Sequence, residues 1–295
     1  MFSAGDLLEI FGPQSEFYQI STTQAQKNRS PNLPDAIKRC YNDWQKALEP
    51  WVSPDIFTQE HYFQQSYLYQ VSLTCVKQSL ADWNKRNQAL LGKPLTFDQL
   101  SSLFSMPQFD WALSSELLHP FSQHLLQNSA KRASSPYVPC DFFQAIYQAI
   151  QSVADRQPMG EFYTPAVLAR KITQEIYRAG DNFLDPTCGS GVFLIEVLRE
   201  IQNANALAVQ EKFAAVQKIH GFDINPLAII LSRANMLINL IESGSINDEN
   251  IKAFVGIFTK NICLYSPIPI AERNEPPNSF YAKFRSWVSC SKWFN

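Results

Sequence analysis

The chain has 295 residues, of which 45% are hydrophobic and 18% charged, and its formal net charge is -2. This length allows two domains of ~150 residues each, and the apolar content excludes a chain that is disordered along most of its length. The residues before Gly160 carry 12 basic against 14 acidic side chains, and the remainder carries 13 against 13. Neither half has the strong positive charge that is typical of a stand-alone DNA-binding module.

The cysteines and the apolar segments exclude further classes. The six cysteines form no Cys-x-x-Cys pair, so we expect neither zinc nor any other metal. The start, MFSAGDLLEIFG, lacks the pattern of a secretory signal, which predicts a reduced, cytoplasmic compartment. The most apolar stretch, Pro226 to Ile241, falls short of the ~20 residues of a bilayer span. It is interrupted by Ser232, Arg233, Asn235 and Asn239, which favours a buried helix over a membrane segment.

The first part of the chain predicts helices joined by loops. Apolar residues at steps of three and four predict helices over Asp35 to Leu48, Gln59 to Arg86 and Asp141 to Val153, the last with Asp141 as N-cap. The segment Ser129 to Pro139 has the composition of a loop. We therefore expect a helical domain over residues 1–150.

The second part predicts alternating strands and helices. Seven of the ten glycines lie between Gly160 and Gly256, where special backbone geometry is expected. Predicted strands are Asp181 to Thr187, Lys218 to Ile224 and, as a third, Phe254 to Phe258; predicted helices are Ser190 to Ile201, Ala208 to Gln217 and Pro226 to Ser243. Strands separated by helices indicate an α/β fold with a parallel sheet over residues 151–295.

The segment DPTCGSGVF, Asp185 to Phe193, has the pattern of a ligand loop. A strand that ends in an acid and opens through two glycines onto a helix brings backbone N–H groups to the carboxyl end of a sheet. A dinucleotide fingerprint is disfavoured, because Leu194 occupies its third glycine position and the next strand-terminal acid, Asp223, lies 32 residues after Gly191. No Gly-Lys-Ser/Thr of a phosphate loop is present. A nucleoside ligand with its ribose on Asp223 remains, and S-adenosylmethionine fits this description.

Three motifs carry a family resemblance. In order and spacing, GEFYTP (160–165), DPTCGSGVFLIEVL (185–198) and GFDINPLAIILSRANMLI (221–238) resemble the cofactor half of DNA adenine-N6 methyltransferases from restriction-modification systems. The similarity is to type I modification subunits and related large single-chain enzymes, and it covers roughly residues 141–244. It implies a partial Rossmann-like S-adenosylmethionine-dependent methyltransferase domain after a helical N-terminal domain.

The resemblance also implies roles for individual residues. The loop Glu161, Phe162, Tyr163, Thr164 and Pro165 would contact the methionine part of the cofactor, with Tyr163 and Thr164 foremost. Asp185, with Cys188, Gly189, Ser190 and Gly191, would hold the methionine amino group and pass under the sulfonium. Asp223 would accept hydrogen bonds from both ribose hydroxyls, Ile224 would pack on the adenine, and Asn261 occupies a further adenine-binding position that is usually an acid.

Each of these residues has a structural alternative. Thr164 and Pro165 could be the N-cap and first residue of a helix Ala166 to Arg178. Asp223, followed by Asn225 and Pro226, could belong to a turn and a helix cap. Cys188 has no neighbouring His or second Cys in the sequence, which favours a small packed residue over a nucleophile.

The catalytic motif of the resembling family, Asn/Asp-Pro-Pro-aromatic, is not recognisable in the sequence. Its nearest string, Glu275 to Asn278, has Glu and Asn at the two defining positions and is expected to be a loop. We therefore assign no catalytic residue and expect a methyltransferase domain truncated before this motif and inactive alone. Its first strand would have an unpaired apolar edge unless residues Phe280 to Asn295 or another polypeptide cover it. DNA would be bound through parts absent from this chain, and a partner polypeptide could supply the catalytic and target-recognition regions.

Three hypotheses remain open from the sequence. The first is the cofactor-binding portion of a DNA adenine methyltransferase. The second is a non-catalytic cofactor-binding or assembly subunit of a restriction-modification complex. The third is an RNA or protein amide-nitrogen methyltransferase, which the motif GEFYTP disfavours.

Overall fold

The computed structural model describes residues 2–27, 33–52, 57–87, 94–113, 137–157, 161–245 and 250–264. Residues Phe280 to Asn295, residues Glu275 to Asn278 and most of the predicted loop Ser129 to Pro139 lie outside these ranges. No helix within them is both long and apolar enough to cross a bilayer.

The first half consists of helices around one long central helix. The helices are α1 (Ala4–Phe11), α2 (Glu16–Lys27), α3 (Asp35–Leu48), α4 (Gln59–Arg86) and α5 (Asp110–Leu113), with 3-10 turns at Phe97–Gln99 and Ser101–Leu103. The predicted bounds of α3 and α4 are confirmed. Thr58 caps α4 by accepting the His61 N–H at 3.1 Å, and most of this 28-residue helix is buried.

Tyrosine hydroxyls fix α4 to its surroundings. Tyr62, Tyr67 and Tyr69 donate at 2.7–2.8 Å to the backbone carbonyls of Gln108, Phe11 and Phe104, respectively. Each bond satisfies a buried polar group while its ring contributes apolar contact area. These bonds join α4 to segments that lie far from it in the sequence.

The second half alternates helices and strands. Its elements are α6 (Gln144–Ile150), α7 (Val153–Arg156), α8 (Ala166–Ile176), β1 (Phe183–Asp185), α9 (Val192–Asn203), α10 (Val209–Val216), β2 (Ile219–Asp223), α11 (Pro226–Glu242), α12 (Ile251–Asn261) and β3 (Ile262–Leu264). The strands form a parallel sheet in the order β1-β2-β3. Its register pairs Phe183 with Ile219 and Asp223 with Leu264. The predicted α/β organisation is thus confirmed as a mixed, mainly helical fold with a small parallel sheet.

Helix α11 connects the two halves. All 17 of its residues are buried, and its most extensive packing is against α4. Arg233 donates to the carbonyls of Leu103, Thr259 and Ile262 at 2.8–3.1 Å. This guanidinium therefore joins a turn of the helical half to the segment that leads into β3.

The third predicted strand is wrong. Phe254 to Phe258 lies within α12, where Ile251, Phe254, Val255 and Phe258 are buried at helical spacing. The apolar run is too short for its composition to separate a strand from a buried helix. The third strand is instead Ile262–Leu264, directly after the helix.

One predicted helix start is also wrong, whereas α8 begins at the predicted Ala166 but without the Thr164 cap. The third helix of the first part begins at Gln144, and the Asp141 carboxylate accepts from the N–H groups of Phe143 and Gln144 before that start. In α8 the N-cap is Pro165 and no side chain caps the helix, so Thr164 is not its cap. Asn225 does cap α11, accepting the Leu227 N–H at 2.9 Å with Pro226 at the first position.

Candidate functional site

The loop after β1 has a backbone that only glycine adopts readily. Gly189 has φ +52° and Gly191 has φ +95°, both in the left-handed region. A Cβ added to Gly191 would lie 3.0 Å from the Ser232 hydroxyl. The Cys188 N–H donates to the Phe222 carbonyl at 2.8 Å, so the loop turns directly over the end of β2.

Asp223 ends β2 and binds this loop. One carboxylate oxygen accepts the Gly189 N–H at 2.9 Å, and the other accepts the Asn225 N–H at 2.9 Å. The side chain is half-buried. Because a carboxylate offers about four acceptor positions, each oxygen retains capacity for another donor, such as a ligand hydroxyl.

The loop 161–165 is held against both of these segments. Glu161 accepts a hydrogen bond from the Tyr147 hydroxyl and, at 2.6 Å, one from the Asn225 side-chain amide. The Tyr163 ring lies 5.3 Å from the Tyr147 ring, centroid to centroid. A Cβ built on Gly189 would be 3.7 Å from Tyr163 Cε1. The three sequence motifs therefore meet at the carboxyl end of the sheet.

The other predicted site residues occupy different positions. Thr164 is half-buried and accepts from the Gln144 amide through its carbonyl at 3.5 Å, whereas Phe162 is 76% exposed and Pro165 is exposed at the start of α8. Ile224 is half-buried beside Asp223. Asn261 is not brought to this group. It precedes β3 at the opposite end of the sheet, and its amide donates to the carbonyls of Gln217 and Ile219.

Buried carboxylates give the site its electrostatic character. Burial raises the pKa of Glu161 to about 7, although hydrogen bonds from Tyr147 and Asn225 oppose the rise. Burial raises the pKa of Asp185 to about 6, again against a hydrogen bond, from the Thr187 N–H. The pKa of Asp223 is likewise raised by burial, and its charge contributes to the raised values of the other two acids. Such clustered carboxylates favour a cationic ligand.

Cys188 is packed in the protein interior. The Cys188 side chain is buried beside Ser232, and burial raises the pKa of its thiol well above the ordinary range. A thiol in this state is a poor nucleophile, as predicted for a small packed residue. In the part of the chain that the structure describes, no three His, Cys, Asp or Glu side chains are grouped as metal ligands.

Sequence reasoning missed the residues that hold the loops in place. They are Asp141, Tyr147, Asn225, Ser232 and Asn235, which contact the motif loops from α11 and from the residues around α6. A signal for two of them was present, since Ser232 and Asn235 are polar residues within an otherwise apolar helix. Such residues need buried hydrogen-bond partners.

One comparison decides the family resemblance. Residues 140–255 match the family model described as N-6 DNA Methylase. The matched segment contains the loop 161–165, the loop after β1, Asp223 and Ile224, whereas Asn261 lies beyond it. The resemblance predicted from the three motifs is confirmed, since this segment is similar to the N-6 DNA Methylase family.

Curated relatives agree with this family. The type I restriction enzyme EcoEI methylase subunit of Escherichia coli is 29% identical over 103 residues, which are 35% of this chain and 20% of the relative. The adenine-specific methyltransferase PglX of Streptomyces coelicolor is 26% identical over 131 residues, 41% of this chain and 11% of the relative. The type I restriction enzyme MjaIX methylase subunit of Methanocaldococcus jannaschii is 32% identical over 79 residues, which are 27% of this chain and 13% of the relative. The matches thus span a fifth or less of each relative's length.

Proposed function

We propose that this chain binds S-adenosylmethionine and provides the cofactor-binding part of an adenine-N6 DNA methyltransferase of a restriction-modification system. The observation that carries the proposal is the hydrogen bond from the Gly189 N–H to Asp223. It joins the glycine loop after β1 to the acid after β2. A nucleoside ligand that spans a loop of this kind and such an acid is expected at the carboxyl end of a parallel sheet.

The chemistry of the side chains fits this cofactor. S-adenosylmethionine carries a sulfonium and an ammonium group. Burial raises the pKa values of Glu161 and Asp185, so a cation bound beside them would stabilise their charged form. We assign the ammonium group to Asp185 and the loop Gly189 to Gly191, and the ribose hydroxyls to Asp223. Tyr163 and Thr164 would contact the methionine end, and Ile224 the adenine.

The proposal includes a Rossmann-like arrangement for the second half and a division of the chain near residue 150. The helical part would span residues 1–150 and the methyltransferase part residues 151–295. Parallel strands with helical crossovers and a ligand loop at their carboxyl ends support the first statement. The second remains a prediction from the sequence.

The cofactor supplies an electrophilic methyl group when it is bound. The residues of this chain would orient it: Asp223 by holding the ribose, the glycine loop by allowing close backbone approach, and Glu161 by fixing the loop 161–165 to Tyr147 and Asn225. Positioning of this kind accounts for a large share of catalysis in group transfer. The sequence assigns no residue of this chain to the target adenine.

A second candidate function is suggested by the names of two relatives. Both are methylase subunits of type I restriction enzymes, which favours a cofactor-binding or assembly subunit that acts with another polypeptide and with DNA. The two candidates make the same cofactor prediction. They differ in whether this chain alone transfers a methyl group.

Binding of S-adenosylmethionine to the full chain, measured by isothermal titration calorimetry, tests the common prediction. We expect saturable binding that Asp223→Ala weakens by about a hundredfold, equivalent to ~2.7 kcal/mol, since the ribose loses its acceptor. Asp181→Ala is the matched control, because Asp181 is an exposed acid before β1, at the other end of the strand. No binding by the wild-type chain, or equal loss in both variants, would contradict the proposal.

Incubation with labelled cofactor and DNA separates the two candidates. Label in N6-methyladenine would show that this chain alone is the enzyme. If the chain binds the cofactor but transfers no methyl group until a methylase partner is added, the subunit is favoured. Label in RNA or in protein instead of DNA would contradict the assignment of the substrate.

A further inference from the structure

Helix α11 holds the backbone carbonyls of the glycine loop. The Ser232 hydroxyl donates to the Gly189 carbonyl at 2.7 Å, and the Asn235 amide donates to the Ser190 carbonyl at 2.8 Å. Ser232 and Asn235 are three residues apart and therefore lie on the same face of the helix. Both side chains are fully buried.

Asp141 completes this arrangement from the chain segment before α6. Its carboxylate accepts from the Ser190 hydroxyl and, at 2.8 Å, from the Asn235 amide. The side-chain oxygen of Asn235 in turn accepts the Phe142 N–H at 3.0 Å. Asp141, Ser232 and Asn235, here called the polar clamp, thus bind the side chain of Ser190 and the carbonyls of two loop residues.

The polar clamp determines the direction of a backbone donor. In a trans peptide unit the carbonyl and the N–H point to opposite sides. Since α11 binds the Gly189 carbonyl, the Ser190 N–H of the same peptide unit points away from the helix. The adjacent Gly191 N–H is used within the turn, on the Cys188 carbonyl at 2.8 Å. The clamp therefore presents the Ser190 N–H on the side of the loop opposite to α11.

We propose that Asp141, Ser232 and Asn235 are positioning residues for the cofactor, an inference that rests on the proposed function. They fix the loop Gly189 to Gly191 in its binding conformation before the ligand arrives. Preorganisation of this kind raises affinity because the ligand does not have to order the loop. The clamp residues act through the loop and not through contact with the cofactor.

Asn239 provides a matched control within the same helix. It lies one turn after Asn235, is also fully buried, and its amide donates to the Cys140 carbonyl at 3.0 Å while its oxygen accepts the Cys140 N–H at 2.9 Å. It also accepts from the Tyr137 hydroxyl. None of these partners belongs to the glycine loop.

The experiment compares Asn235→Ala with Asn239→Ala in the full chain. Affinity for S-adenosylmethionine is measured by calorimetry, and unfolding by urea gives the stability of each variant. We expect similar losses of stability, since each variant loses a buried amide with several hydrogen bonds. Only Asn235→Ala should weaken cofactor binding, by about tenfold or more. Ser232→Ala, a smaller change, replaces Asn235→Ala if that variant does not fold.

Rescue by a conservative variant provides a second test. Asp141→Asn keeps one oxygen as acceptor for the Phe143 and Gln144 N–H groups, and its amide nitrogen can donate to the Ser190 hydroxyl oxygen in place of the lost acceptor. It should therefore recover much of the affinity lost in Asp141→Ala. Three outcomes would overturn the positioning role of the polar clamp. They are a failure of the rescue, an equal loss of affinity in Asn235→Ala and Asn239→Ala, and no loss of affinity in either variant.

A measurement without ligand separates this inference from the proposed function. The amide resonances of Gly189, Ser190 and Gly191 are compared by NMR in the free wild type and in the two asparagine variants. We expect large shifts at these three residues in Asn235→Ala and small ones in Asn239→Ala. Unchanged loop resonances in Asn235→Ala would overturn the clamp alone, whereas a wild type that binds no cofactor would overturn the proposed function.

Discussion

The two halves of the described chain bury their polar groups in different ways. Several of the side chains buried around α4 are neutral and have partners: tyrosine hydroxyls donate to backbone carbonyls, and the Trp44 indole N–H donates to Gln65 at 2.9 Å. At the carboxyl end of the sheet they are carboxylates, and burial raises the pKa of Asp141, Asp185 and Asp223. The neutral donors named for the first region have their acceptors, whereas burial disfavours the charged form of the carboxylates in the second.

This difference separates residues that maintain the fold from residues that are available to a ligand. A neutral buried donor with a carbonyl partner stabilises the protein modestly and needs no additional hydrogen-bond partner. Buried carboxylates that raise one another's pKa cost free energy in their charged form. A cation bound among them would offset that cost, which is typical of functional sites.

The largest expected effect lies in the helical half. Trp44→Ala removes a fully buried ring and the partner of Gln65, and should lower the free energy of unfolding by ~3–5 kcal/mol. Urea unfolding measures this loss. The folded fraction should bind S-adenosylmethionine with unchanged affinity, because Trp44 belongs to the neutral network.

Trp51→Ala is the control for this prediction. Trp51 is only half-buried at the end of α3, so its loss of stability should be clearly smaller. A large loss of cofactor affinity in folded Trp44→Ala would show that the two halves are not separable in function.

The next effect concerns pH. The pKa of Glu161 is raised to about 7 and that of Asp185 to about 6, above ordinary values of ~4.3 and ~3.9. The unfolded chain loses these protons at lower pH than the folded protein, so these groups make stability fall as the pH rises from about 4 to about 7. A cationic cofactor favours the carboxylate form, so its affinity should rise by up to about tenfold between about pH 6 and about pH 8.

Calorimetry in two buffers of different ionisation enthalpy measures the protons released on binding. Glu161→Gln removes the titrating group and keeps one oxygen as acceptor for the Asn225 amide, while its own amide nitrogen can donate to the Tyr147 hydroxyl oxygen. It should flatten both pH dependences above about pH 6. An affinity that is constant or falls with rising pH in the wild type would contradict the role given to these carboxylates.

The smallest effect compares two glycines. Gly189→Ala and Gly180→Ala both place a side chain at positive φ, with little or no steric contact at either position. Each should cost ~1–2 kcal/mol of stability. Only Gly189→Ala should also weaken cofactor binding severalfold, because its methyl group enters the space between the loop and Tyr163. Equal affinities of the two variants for S-adenosylmethionine would mean that the cofactor does not bind beside Gly189.

The sequence predicted the parts of the fold that depend on local pattern. The periodicity of α3 and α4 is long enough to give their bounds, and the motif around Gly189 predicts its turn. The short apolar run Phe254 to Phe258 was assigned to a strand because five residues do not distinguish the two periodicities. Helices α1 and α2 are not predicted from the sequence, because segments of 8 and 12 residues carry a weaker periodic signal than α3 and α4.

The sequence predicts the loops of the candidate site but not the residues that hold those loops in place. Gly189 and Asp223 follow from motif and strand order, and the structure joins them by a hydrogen bond. Asn225 and Asn235 contact residues that lie 64 and 94 positions away in the sequence, Glu161 and Asp141. Contacts across such distances depend on the packing of α11, which a single sequence does not reveal.

The burial of α11 on every side has a practical consequence for protein production. A shortened chain that starts near residue 151 would keep the three motifs but remove α4 and Asp141, and so expose an apolar helix surface to solvent. Large exposed apolar surfaces promote aggregation. Low activity of an isolated second half in a methyltransferase assay would then reflect aggregation through the exposed surface of α11. It would not measure the chemistry of the glycine loop.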